Sequence, residues 1–135
     1  MINKKAMIFG VSGQDGSYLA QLLLGKGYEV WGTSRDVNKS RLINLKKLGI
    51  DKKIHLVSVL NDDFQKLSKL ISELLPDEIY YLAGQSSVGL SFLEPRETIS
   101  SNVLGILNVL EICRLISKEI RVYYAGSSEC FGDIS

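Results

Sequence analysis

The sequence is poor in the residues from which metal centres and crosslinks are built. It has one histidine, His55, and two cysteines, Cys113 and Cys130, too few for a zinc set or a disulfide framework. Thiols this sparse suit a reducing compartment, so a cytoplasmic protein without a bound metal is expected. Charge of one sign is lacking too: 16 basic against 15 acidic residues leave a net charge of +1. So balanced a chain offers no electrostatic reason to expect nucleic acid or a membrane surface as partner. Long hydrophobic runs are missing. The apolar stretches are short and broken by charges, and Met1-Ile-Asn-Lys-Lys leads straight into a strand-like segment, so neither a signal peptide nor a membrane span is expected. No Pro/Gly/Ser-rich linker divides the 135 residues, and 1–135 read as one domain.

What is present is an alternation. "KAMIFG" is a short apolar run suited to a strand buried on both faces, and the segment from Ser17 to Lys26 has helical spacing at Leu19, Leu22 and Leu23. "YEVWGTS" reads as a second strand and "NKSRLINLKKLG" as a helix ending at Gly49. "KIHLVSV" is a third strand. Asp62-Asp-Phe-Gln then opens a helix with acidic residues in its first turn, running through Leu67, Leu70, Ile71 and Leu74 to Pro76. "DEIYYLAG" is a fourth strand, a long helical segment follows from about Pro95 to Ser117, and "IRVYYAGSS" is a fifth strand. Parallel strands cannot be joined by tight turns, so this order predicts an α/β fold: a doubly wound parallel sheet of the Rossmann type, with about five strands. Ligands of such sheets bind beyond the carboxyl ends of the strands, which gathers the loops after "IFG", "GTS", "YLAG" and "YAGSS" around one crevice.

The first of those loops holds Gly10, Gly13 and Gly16 at spacings of three, between the first strand and a helix beginning near Asp15. Gly10 permits the tight turn, Gly13 lets a pyrophosphate approach the backbone, and Gly16 lets helix and sheet pack closely. Free N–H groups at the helix start face the phosphates. An ATPase loop is excluded, because Gly25-Lys26 is followed by Gly27 and not by Ser or Thr. At the end of the second strand stands Thr33-Ser-Arg-Asp. Ser34 and Arg35 suit the 2′-phosphate of NADP, while Asp36 falls one step late for the ribose hydroxyls of NAD; a solvated Arg35 is the plain alternative.

Three separated runs, Gly13-Gln-Asp-Gly-Ser-Tyr-Leu, Leu82-Ala-Gly-Gln-Ser-Ser and Ser127-Ser-Glu-Cys-Phe-Gly, resemble the GDP-mannose 4,6-dehydratases, a family of extended short-chain dehydrogenase/reductases. The resemblance extends over essentially the whole sequence. It implies an NADP-dependent lyase that converts GDP-mannose to GDP-4-keto-6-deoxymannose and works as a homo-oligomer at full length. It places Ser12, Gln14 and Asp15 with the three glycines at the cofactor, and Leu82, Ala83 and Gly84 beneath it. Gln85 and Ser86 then reach toward the nicotinamide side or the sugar. Ser127 corresponds to the hydroxyl that bonds the sugar's O4, Glu129 to the base that takes the C5 proton, and Ser128 to a residue that holds the substrate.

Two departures accompany the resemblance. Relatives carry an Asp-Leu pair after the third strand for the adenine; Val59-Leu60 stands there, so contact would run through backbone. The family's Tyr-x-x-x-Lys pair occurs nowhere in the sequence. The chain therefore reads as the N-terminal, cofactor-binding part of a dehydratase without its substrate domain, inactive alone, with an exposed sheet edge after the fifth strand. A stand-alone nucleotide-binding module, a partner-binding half-domain, and another epimerase or dehydratase of the extended family remain open at this point.

Overall fold

Strand β1 (Lys5–Phe9) is the axis of the molecule. Ala6, Met7, Ile8 and Phe9 are completely buried, and the pleat sends Ala6 and Ile8 to one face and Met7 and Phe9 to the other. A strand buried on both faces needs the continuous apolar run found here. The structure, a computed structural model, describes residues 3–35, 42–84 and 88–133, the side chains at 88, 128 and 129 excepted.

Around β1 lie β2 (Glu29–Ser34), β3 (His55–Ser58), β4 (Glu78–Tyr81) and β5 (Arg121–Tyr124), all parallel, in the order β3-β2-β1-β4-β5. The expected doubly wound sheet is present. The chain builds outward from β1 to β3 and then crosses back to β4 on the other side of β1, so the strand order reverses between β1 and β4. Helices α1 (Gln14–Gly25) and α2 (Ile43–Lys47) cover one face through Ala20, Leu23 and Leu45. On the other face α3 (Phe64–Leu74) and α6 (Gly105–Leu115) contribute Leu67, Ile71, Ile106, Val109 and Ile112.

Several boundaries differ from expectation for identifiable reasons. Helix α2 covers Ile43–Lys47, the later part of the predicted segment; residues 38–41 lie outside the described residues. The acidic pair before α3 is not in its first turn: Asp63 is the N-cap, its carboxylate accepting the Lys66 N–H at 3.1 Å. That helix stops where Leu75 turns left-handed (φ 48°) ahead of Pro76. A short helix, α4 (Val88–Leu93), precedes the long segment and was not predicted. The long segment starts as α5 (Pro95–Ile99), passes through a π-turn (Ser100–Leu104) and continues as α6. At 21 residues, Pro95–Leu115 is long and apolar enough to cross a membrane by length and composition, contrary to the reading that no segment qualifies. Here its buried side chains pack against β1, β4 and α3 instead. Strand β5 ends at Tyr124; the rest of the predicted strand runs as loop through Ser127, and a 3₁₀ turn follows at Ser128–Phe131. Tyr123 is 57% exposed on this edge strand.

Asp77 fastens the amino ends of these elements. Its carboxylate accepts the Lys5 N–H at 2.7 Å and the Lys118 ammonium at 2.9 Å. The Lys5 bond first, and Lys118 second, hold its pKa below the ordinary 3.8. Because the folded value is the lower one, the stabilisation is complete above the unfolded pKa and is lost as pH falls through the folded value. Asp77→Asn should cost about 1 kcal/mol at neutral pH. Urea midpoints followed from pH 6 downward should converge for parent and variant as pH falls through the lowered value of the folded Asp77 carboxyl; a constant gap would remove Asp77 from this role.

Candidate functional site

The switch point opens a cleft of about 430 Å³ at the carboxyl ends of the strands. From β1 comes the glycine loop. Gly10 has φ +83°, and a Cβ there would lie 2.8 Å from the Leu82 carbonyl oxygen, so the turn admits only glycine. The Gly13 N–H returns to the Gly10 carbonyl at 3.2 Å, and Asn44 of α2 holds the Ser12 carbonyl at 3.1 Å. Gly10, Ser12 and Gly13 line the cleft.

Gly13 is the N-cap of α1 and has no side chain with which to cap it. A Cβ at Gly13 would meet only the Gly10 oxygen, at an ordinary 3.4 Å. Its backbone thus faces the cleft with room that the fold itself does not use. Gly16 is different: a Cβ there would fall 2.2 Å from the Gly10 oxygen, so it is the contact between helix and turn that requires glycine. Gly16 is buried below the loop, while Gln14 and Asp15 stand exposed at the start of α1; none of the three lines the cleft.

From β2 come Thr33, Ser34 and Arg35. Phe9 pairs with Thr33 on one side and Tyr81 on the other, which brings these strand ends level. Arg35 lies at the rim and forms an ion pair with Glu97 of α5. From β4 come Leu82, Ala83 and Gly84, with the Leu82 N–H donating to the Phe9 carbonyl at 2.9 Å. The position a Gly84 Cβ would take lies 2.6 Å from Asn102 Oδ1 in the π-turn. Asn61, after β3, completes the wall.

Asn61 and Thr33 were not singled out from the sequence. The Asn61 carbonyl accepts from Asn108 Nδ2 at 3.1 Å, and its side chain meets the buried Tyr81 phenol. Burial first, and then the neighbouring Tyr124, push Tyr81 up to about 12, so its phenol stays protonated and donates to the Ser101 carbonyl at 2.6 Å. Val59 is buried in the core, and its N–H is already donated to the Ser34 carbonyl at 2.9 Å. The polar side chain on this wall is therefore that of Asn61, two positions beyond Val59.

The remaining sequence candidates lie elsewhere. Gln85 and Ser86 fall outside the described residues, as does Asp36. Ser127 is exposed in the loop after β5, its carbonyl accepting the Cys130 N–H at 3.4 Å; Ser128 and Glu129 open the 3₁₀ turn beyond it. Among the described residues no group of three His, Cys, Asp or Glu side chains could hold a metal ion.

Comparison with known proteins agrees with this architecture. The chain is 38% identical over 138 residues to a GDP-mannose 4,6-dehydratase of Vibrio cholerae, covering 97% of this chain and 37% of that one. It is 40% identical over 136 residues to the Yersinia enterocolitica enzyme of the same name, covering 96% and 37%. The crystal structure of Thermus thermophilus UDP-glucose 4-epimerase in complex with NAD superposes with a TM-score of 0.70 at 27% identity, over 82% of this chain and 34% of that one. The chain thus spans about 37% of the length of these curated relatives. The model of the GDP-mannose 4,6 dehydratase family matches residues 7–135, and the chain belongs to that family.

Proposed function

We propose that this chain binds NADP in the switch-point cleft and supplies the cofactor half of a lyase that dehydrates GDP-mannose at C4 to C6. The observation that carries the reading is Gly13: its backbone faces the cleft at the start of α1, and a Cβ there would offend nothing in the protein. Backbone left bare without a packing reason is what a closely approaching pyrophosphate needs. The fit extends along the cleft. Leu82, Ala83 and Gly84 form an apolar floor, Asn61 offers an amide on the β3 side, and Ser34 with Arg35 suits a 2′-phosphate. The epimerase similar to this chain is described with NAD, which supports a nicotinamide dinucleotide here.

Held by Gly10, Ser12 and Gly13 on one side and Leu82, Ala83 and Gly84 on the other, a bound dinucleotide would supply hydride chemistry, as acceptor at the sugar's C4 and donor at C6. The residues of this chain orient it and hold protons. Glu129 is proposed as the base that removes the C5 proton, which oxidation at C4 has made acidic, as the C6 hydroxyl departs as water, and Ser127 as the partner of O4. Ser128, Gln85 and Ser86 are proposed along the sugar. With no Tyr-x-x-x-Lys pair in the sequence, binding without turnover is what these residues are expected to do alone.

The test is selective loss. Arg35→Ala should weaken NADP binding by about tenfold or more and NAD binding by less than about threefold, since only the former carries a phosphate for a charge-assisted bond. Calorimetric titration of both cofactors decides it. Equal losses would put the ribose away from Arg35.

A further inference from the structure

Arg35 stands between two cavities. One is the switch-point cleft; the other, about 590 Å³, is lined by Arg35 together with Leu93, Glu94, Pro95, Arg96 and Glu97. The guanidinium pairs with another residue of this second lining, its Nη2 donating to Glu97 Oε1. The two residues are 62 apart in sequence, and the pair joins the end of β2 to the first turn of α5. Both ends are partly open to solvent, with the side chain of Arg35 63% exposed and that of Glu97 38% exposed. The arginine is therefore held by its partner without being locked away from the cleft it also lines.

We propose that Glu97 sets how strongly the cleft distinguishes a 2′-phosphorylated dinucleotide from one with a free 2′-hydroxyl, by competing with the phosphate for Arg35. This rests on the reading of the cleft as a dinucleotide site. The carboxylate and the phosphate are both anions seeking the same cation. A phosphate that approaches Arg35 meets a guanidinium already partly neutralised, and Glu97 must swing away or share it against like-charge repulsion. Apparent affinity falls by the fraction of time that the arginine is engaged elsewhere. A dinucleotide without the 2′-phosphate does not use Arg35 in this way and escapes the competition. Glu97 is thus a specificity-determining residue that acts through Arg35 and touches no cofactor atom itself.

Glu97→Gln keeps the shape and removes the charge. Because the pair is solvent-exposed, its release should tighten NADP binding by about fivefold at low salt, the upper range for such pairs, and move NAD binding by less than about twofold. The gain should shrink toward nothing near 1 M salt, where screening acts within about 3 Å. It should also vanish in the Arg35→Ala background. Calorimetric titration of NADP and NAD into the parent chain, both single variants and the double variant reads all of this, with circular dichroism confirming equal folding. Should Arg35→Ala lower both affinities alike, the 2′-phosphate reading of Arg35 falls and this inference with it. Should Arg35→Ala act selectively while Glu97→Gln leaves NADP binding unchanged or weaker, the cofactor reading stands and competition by Glu97 is wrong. A gain that persists without Arg35 would mean direct repulsion of the phosphate, which also overturns competition.

Discussion

Gly13→Ala should cost the cleft about a hundredfold in NADP affinity while the thermal midpoint moves by only about 3 °C. Gly16→Ala, three residues on, should do the reverse. At Gly13 the new methyl meets only the Gly10 oxygen at 3.4 Å, so folding is spared apart from a small change at the helix cap. On the proposed reading of the cleft, the same methyl would stand where a pyrophosphate reaches the N–H groups of α1. Losing two such charge-assisted bonds, at about 1.5 kcal/mol each, gives the hundredfold. At Gly16 the helix propensity of alanine favours the variant by about 1 kcal/mol. Against this, the methyl would lie 2.2 Å from the Gly10 oxygen and 2.9 Å from the Val11 Cα, which are backbone atoms that cannot rotate aside. The turn or the helix must shift, and a net loss of about 3 kcal/mol, or about 10 °C, is expected. Scanning calorimetry and NADPH fluorescence titration separate the two effects. A Gly13→Ala variant that binds as the parent does would remove the loop from the site, and a Gly16→Ala variant as stable as the parent would refute the packing.

This contrast shows which information is local. Gly10, Gly13 and Gly16 could be given separate tasks from their spacing because each task concerns backbone within a few residues of the glycine. The completely buried run Ala6–Phe9 likewise states its two-faced burial in its composition. The crossing from β3 back to β4 left its mark in the alternation of elements, since parallel strands permit few other routes.

What stayed hidden depends on residues far apart in the chain. Glu97 looks like any first-turn acid until the fold brings α5 beside the end of β2. Asn61 lies two positions beyond Val59, and only the burial of Val59 shows that the loop presents Asn61 to the cleft in its place. A search for the first polar residue after β3 whose side chain is not needed in a helix cap would have reached it. The π-turn gives no sign in its own composition, because the groups that engage it come from two strands and, through Asp62, from the loop before α3. The phenols of Tyr81 and Tyr124 donate to the Ser101 and Asn102 carbonyls at 2.6 and 3.2 Å.

Gly105→Ala should reveal that long-range contact with a loss of about 3 kcal/mol and a midpoint about 10 °C lower. The substituted position begins α6, where alanine would ordinarily be the better residue. Its Cβ, however, would lie 1.9 Å from the Tyr81 hydroxyl oxygen, 2.9 Å from Tyr81 Cζ and 3.0 Å from Asn61 Cβ. Tyr81 is fully buried with its ring 5.2 Å from that of Phe9, so it has little freedom to retreat. Tyr81→Phe alone should cost about 1 to 2 kcal/mol, because the Ser101 carbonyl loses a buried donor. In the double variant the hydroxyl that collides is gone, although the ring carbon still crowds the methyl. The loss in the double variant should therefore fall short of the sum of the two single losses by about 1 kcal/mol. Urea denaturation of the four chains measures that coupling, and strict additivity would mean that glycine at 105 does not serve to admit the tyrosine. The contact also reaches the cleft, since Asn61 is pressed by the same methyl. Gly105→Ala should then weaken dinucleotide binding in the molecules that remain folded, whereas Gly16→Ala reaches the cleft only through the turn it displaces.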